Sequence, residues 1–161
     1  LNNVKESKNI INDELISEVK NDLVNSIDKV HGGFGSAPKF PHITNLDFLI
    51  KTLEDGDDKI LDMINLTLTR MCNSGIYDHL KGGFFRYCTD EYWDIPHFEK
   101  MLYDNGQLIS VFSSYDLIIK ENIYAELVKK TVEFWLSIKA DNNFFPSSIS
   151  TQSKDLRGLK I

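Results

Sequence analysis

Apolar residues recur at intervals of three and four along five stretches of the chain, with charged or amide residues between them, and that spacing predicts five amphipathic helices. The first carries Ile11, Leu15, Ile16, Val19, Leu23, Val24, Ile27 and Val30 and is predicted to stop at His31-Gly32-Gly33. The second runs from a Thr44 cap through Leu46, Leu49, Ile50 and Leu53. The third runs from Asp57 or Asp58 over Ile60, Leu61, Ile64, Leu68 and Met71, with Gly75 in the position of a left-handed C-terminal cap. The fourth is expected to begin near Pro96 or His97 and to turn Phe98, Met101, Leu102, Leu108, Ile109, Phe112 and Tyr115 inward. The fifth, capped by Asn122, carries Ile123, Leu127, Val128, Val132, Phe134, Trp135 and Ile138.

Two segments break this rhythm. Residues 32–41 hold three glycines and two prolines, too many for a helix or a central strand, and read as an ordered loop. Residues 76–94 combine Gly82-Gly83 with Phe84, Phe85, Tyr87, Tyr92 and Trp93, which predicts a small β-hairpin or aromatic loop near 82–93. Glycine-rich loops between alternate helix pairs favour helical hairpins stacked in series, so the fold class expected is all-α. Residues 1–11 read as a linker or flexible N-terminus, 12–146 as the helical domain, and 147–161, where the apolar pattern ends, as a flexible tail.

Charge then narrows the classes of partner. The 161 residues carry 18 Lys and Arg against 24 Asp and Glu, a net charge of −6, which argues against nucleic acid and anionic membrane. No apolar run approaches the length of a membrane span, and residues 1–6 lack the apolar core of a signal peptide. Cys72 and Cys88 show no metal-ligand or redox spacing, so they read as packing residues of a cytoplasmic protein. His31 and His42 have no third ligand at a recognisable spacing, and the glycines at 32, 33 and 35 are not followed by a phosphate-loop Lys, so no metal or other cofactor is expected.

The candidate chemistry gathers in residues 77–87 and 93–105. Asp78, His79, His97 and Glu99 are the candidate catalytic acids and bases, and Tyr77, Arg86, Tyr87, Trp93, Tyr103 and Asp104 the candidate substrate contacts. Aromatic faces beside carboxylates and a guanidinium suit a sugar-like ligand, because rings stack on its C–H faces while charged groups bond its hydroxyls. Each assignment has a structural counterpart. Asp78 and His79 also suit loop pinning, and Lys100 and Asp104 are spaced for a surface helical ion pair.

Three stretches resemble one family. They are residues 32–41 (GGFGSAPKFP), 75–87 (with GIYDHL, GGF and RY), and 96–104 (PHFEKMLYD). They match the signature stretches of the thioredoxin-domain-containing proteins related to spermatogenesis-associated protein 20. The resemblance implies an N-terminal thioredoxin-like domain followed by a helical toroid of the six-hairpin glycosidase type, similar to N-acylglucosamine 2-epimerases. This chain would hold the opening part of the toroid, a partial (α/α) ring without the thioredoxin-like domain, and with the family's later acidic run replaced by residues 142–153. The implied function is a carbohydrate-like pocket in a truncated chain that is inactive alone. The alternative is a noncatalytic module whose uncovered helix faces drive self-association or pairing with a partner chain.

Overall fold

A computed structural model describes residues 11–140 and 143–150. Helix α1 (Asp13–Ser26) starts where the Asn12 side chain accepts a hydrogen bond from the Leu15 amide at 2.9 Å. It ends at Ser26 and not at Val30, because Ile27 leaves the helix to bridge Phe34 across the glycine turn, where both are buried. Helix α2 (Ile43–Lys51) is entered from His42, whose backbone is left-handed (φ 44°), and Thr44 does not cap it. Helix α3 (Asp58–Asn73) ends at Ser74. Gly75 is not the left-handed cap its position suggested. It is needed because a Cβ there would lie 2.1 Å from the Asp94 carbonyl oxygen.

The largest departure from helical periodicity lies between Tyr87 and Leu102. β2 (Pro96–His97) and β3 (Lys100–Met101) occupy what the apolar spacing read as the start of a helix: β2 pairs antiparallel with β1 (Tyr87–Cys88), which lies within the expected hairpin segment, and β3 with β4 (Ser148–Ile149). The Arg86 amide donates to the Glu99 carbonyl at 2.7 Å, so the backbone at Glu99 is committed to a ribbon. Helix α4 (Leu102–Ile119) therefore begins several residues later than expected. Residues 147–150, assigned to a tail by composition, are tied in by β4 and by the Leu102 amide donating to the Ser147 carbonyl at 3.0 Å. The rest of that segment, 151–161, lies outside the described residues.

Helix α5 (Ala125–Ser137) is preceded by Tyr124 at the cap position, not Asn122. The buried carboxylate of Asp116 accepts from the Tyr124 amide at 3.1 Å and so holds the α4–α5 turn. Helices α2 and α4 lie side by side, α1 and α3 flank α2, and α5 flanks α4. Leu46, Leu49, Ile64, Leu68, Met71, Leu108 and Phe112 are wholly buried between them. Each such side chain is worth about 1.5–3 kcal/mol of transfer free energy. A smaller cluster of Phe134, Trp135 and Ile138 packs with Leu102 and Ile149 beside β4.

Both glycine loops are one device used twice. In the first, the Asp28 amide donates to the Gly33 carbonyl and the Gly32 amide to the Asp28 carbonyl; in the second, Asp78 pairs with Gly83 and Gly82 in the same way. One carboxylate oxygen of Asp28 accepts from the amides of Val30 and His31, and one of Asp78 from those of Leu80 and Lys81. The other oxygen meets a buried ammonium, Lys39 at 2.5 Å or Lys100 at 2.8 Å. Gly32 (φ 70°) then presses on the α3 backbone at Thr67, and Gly82 (φ 84°) on the α5 backbone at Lys130, where a Cβ would sit at 2.7 and 2.6 Å. The copies differ in their hook. The Gly33 amide donates to the Thr67 hydroxyl, whereas the Phe84 amide donates to the Asn105 side chain.

Candidate functional site

The ribbon between β1 and α4 brings six of the candidate residues together. Arg86, paired to Glu99 through the backbone, also donates from Nη1 to Oε2 of Glu99 at 3.0 Å, and that pairing raises the Arg86 pKa further. One residue on, Tyr87 stacks on His97 across the β1–β2 register at 4.9 Å and 9° between planes. Its ring also stacks at 4.7 Å on Phe40, which arrives from the first glycine loop. Nδ1 of His97 is buried with no hydrogen-bond partner among the described residues. Tyr103 and Asp104 follow in the first turn of α4.

Arg86, Tyr103 and Asp104 border a cleft of about 280 Å³ whose walls also include Phe40, His42 and Gln107, while Glu99 stands behind Arg86 and Tyr87 behind Phe40 as their bonded and stacked partners. Burial pushes the Asp104 carboxyl up to about 6; the Arg86 guanidinium opposes that shift and the Glu99 carboxylate adds to it. Burial also lowers the pKa of His42, so its imidazole stays neutral more readily. The cleft thus presents a carboxyl whose pKa lies near 6, the Arg86 guanidinium backed by Glu99, and the rings of Phe40 and Tyr103.

The remaining candidates lie elsewhere. Tyr77 and His79 border a different cleft, of about 420 Å³, with Tyr124, Glu126 and Lys130. The His79 ring nitrogen Nε2 is 3.0 Å from the Ser74 carbonyl. Asp78 is held below the usual carboxylate range: burial would raise it, but the Lys100 ammonium and the amides of Lys81 and Leu80 outweigh that effect. The helical pair expected between Lys100 and Asp104 does not form, because Lys100 precedes α4 and runs inward to Asp78. Trp93 is completely buried, its indole N–H donating to the His31 carbonyl at 3.0 Å, and it belongs to the core. Burial pushes the Cys88 thiol up to about 12 and raises that of Cys72, which fits packing roles. Among the described residues no group of three His, Cys, Asp or Glu is arranged to hold a metal ion.

Phe40, His42 and Gln107 are cleft residues that periodicity did not single out, and Lys39 and Lys100 are loop locks it missed. A usable signal was present: Asp28 and Asp78 are each separated from a following Gly-Gly-Phe by three intervening residues.

The five-helix architecture is part of an α/α toroid of helical hairpins, the class formed by sugar 2-epimerases. A sugar epimerase from a ruminal bacterium superposes with a TM-score of 0.69 at 19% identity, over 86% of this chain and 41% of that one. The cellobiose 2-epimerases of Spirochaeta thermophila and Bacillus thermoamylovorans give 0.67 and 0.64 at 15% and 14% identity, over 86% and 87% of this chain and 41% and 43% of theirs. Within that class the chain is homologous to one stretch of the spermatogenesis-associated protein 20 family. It is 38% identical to the mouse protein over 140 residues, 83% of this chain, and 39% identical to the human protein over 113 residues, 66% of this chain. It spans only 18% and 14% of those two proteins. No family model matches the chain.

Proposed function

We propose that this chain forms one sector of a toroid mouth that binds a carbohydrate-like ligand in the cleft between Phe40, Arg86 and Asp104. The observation that carries the reading is that one cleft is lined by the Asp104 carboxyl with pKa about 6, by Arg86, which Glu99 holds from behind, and by Phe40, which is backed by the Tyr87–His97 stack. Arg86, Glu99 and Tyr103 supply hydroxyl contacts, the rings supply an apolar face, and Asp104 supplies a proton. The likeness to sugar epimerases supports the ligand class, and chemistry on that ligand would need the hairpins that complete a ring. The reading is tested by titrating the 161-residue chain with cellobiose and following amide shifts. Shifts should concentrate at residues 40–42, 86–87, 97–99 and 103–107, and Arg86→Ala should weaken binding about tenfold, the loss of one charge-assisted contact. A wild-type chain that shows no shifts at tens of millimolar sugar overturns it.

One observation favours a second role. Helix α4 carries apolar residues around its whole circumference, as a buried helix does, yet Leu117 is 79% and Ile118 40% exposed. Such a face suits pairing with a second chain or with further hairpins. Light scattering across a concentration series should then show association, and a monomer at every concentration removes this reading.

A further inference from the structure

Lys39 and Lys100 are buried where a charged side chain is rarely found; Lys39 stands one residue from Phe40 in the cleft wall, and Lys100 one residue from Glu99, the partner of the cleft residue Arg86. The Lys39 side chain is wholly buried; its ammonium donates to Asp28 at 2.5 Å and to the Glu91 carbonyl at 3.0 Å, and lies 5.3 Å from the Trp93 ring centre. Its backbone exchanges hydrogen bonds with Cys88 in both directions, at 2.8 and 2.9 Å. The residue after Lys39 is Phe40 and the residue before Cys88 is Tyr87, so this bridge sets one ring on the other.

Lys100 plays the corresponding part for the partner of Arg86. Its ammonium donates to Asp78 at 2.8 Å and to the Gly82 carbonyl at 2.7 Å, and sits 3.8 Å from the centre of the Phe134 ring. The residue before it is Glu99, which holds Arg86 by backbone and side chain. The ammonium thereby pins the ribbon carrying Glu99 to the second glycine loop. Burying an ammonium carries a large desolvation cost that a methionine of similar volume would avoid, and such groups are often replaceable without loss of stability. What the charge adds is direction: two fixed acceptors for each ammonium, with an aromatic ring beside it, set the strand's position where an apolar side chain would let it slide.

We infer that Lys39 and Lys100 are positioning residues of the cleft, Lys39 acting through the Phe40–Tyr87–His97 stack and Lys100 through the Arg86–Glu99 pair. The inference rests on the reading of that cleft as the ligand site. Two double variants test it without leaving a lone buried charge: Lys39→Met with Asp28→Asn, and Lys100→Met with Asp78→Asn. Three properties are read on each: the ring-current shift of the His97 imidazole protons, the rotation rate of the Arg86 guanidinium, and cellobiose affinity. The first variant should lose the His97 ring-current shift, the second should free the Arg86 guanidinium, and each should weaken binding about fivefold or more while thermal unfolding stays cooperative. If a double variant does not fold, Asp28→Asn or Asp78→Asn alone, which leaves each lysine its carbonyl acceptor, carries the same readouts. A folded variant whose His97 and Arg86 signals match the parent overturns the inference. A parent chain that shows both signatures and binds no cellobiose overturns the carbohydrate reading alone.

Discussion

Gly33 and Gly106 stand in opposite surroundings, and the contrast gives a measurable difference. At Gly33 (φ 75°) a Cβ would lie 2.4 Å from the ring of the fully buried Trp93, whereas at Gly106, within α4, it would meet nothing within 4 Å. Gly33→Ala should cost about 3 kcal/mol or more through strain and overpacking, and Gly106→Ala should gain about 0.5–1 kcal/mol of helix propensity, both read from urea unfolding. Asp104 gives a second residue-scale prediction. Its folded pKa, about 6, lies above the usual 3.8, so the folded state binds the extra proton and stability falls as pH rises from about 4 to about 6. Asp104→Asn should remove that slope, raise stability at neutral pH by about 1–2 kcal/mol, and weaken ligand binding in the same sample.

Among the helices, α1 is the most weakly held. None of its residues is fully buried, Leu15 and Val19 are exposed, and Lys20 fastens it by pairing with Asp57 and donating to the Thr52 carbonyl. Its amides should exchange with solvent faster than those of α3 and α4, and Lys20→Met should quicken α1 further while leaving α4 unchanged, as hydrogen exchange would show. The existence of all five helices was legible in the sequence because their apolar spacing is local. Their ends near the loops were not, because the competing bonds are long-range: the Arg86 amide reaches Glu99, the Lys39 backbone reaches Cys88, and Lys100 reaches Asp78. A spacing of four between Lys100 and Asp104 signals an ion pair only inside a helix, and the ladder that replaces the helix is set by residues on two other segments. The candidate site was legible in its residue types. Its division was not, since Tyr77 and His79 face one cleft and Arg86, Tyr103 and Asp104 another.

Across the whole molecule, the two Asp–Lys locks share no hydrogen-bond partner: Lys39 bonds Asp28 and Glu91, and Lys100 bonds Asp78 and Gly82. Asp28→Asn and Asp78→Asn should therefore destabilise additively, with the double variant within about 0.5 kcal/mol of the sum of the singles in chemical unfolding. A coupling well outside that range would show that the strand bridge between Lys39 and Cys88 carries strain from one loop to the other. The repetition of the glycine loop, pressed on α3 in one copy and on α5 in the next, has a consequence for how such a ring is built and lost. Each copy seals a loop onto an adjacent helix with its own glycines, aspartate and lysine, so cohesion accrues between neighbours in chain order, as in a linear array of coupled units. An array of that kind gains or sheds units at its ends at the cost of a single junction, which gives evolution a route to arcs of different length cut from one circular plan.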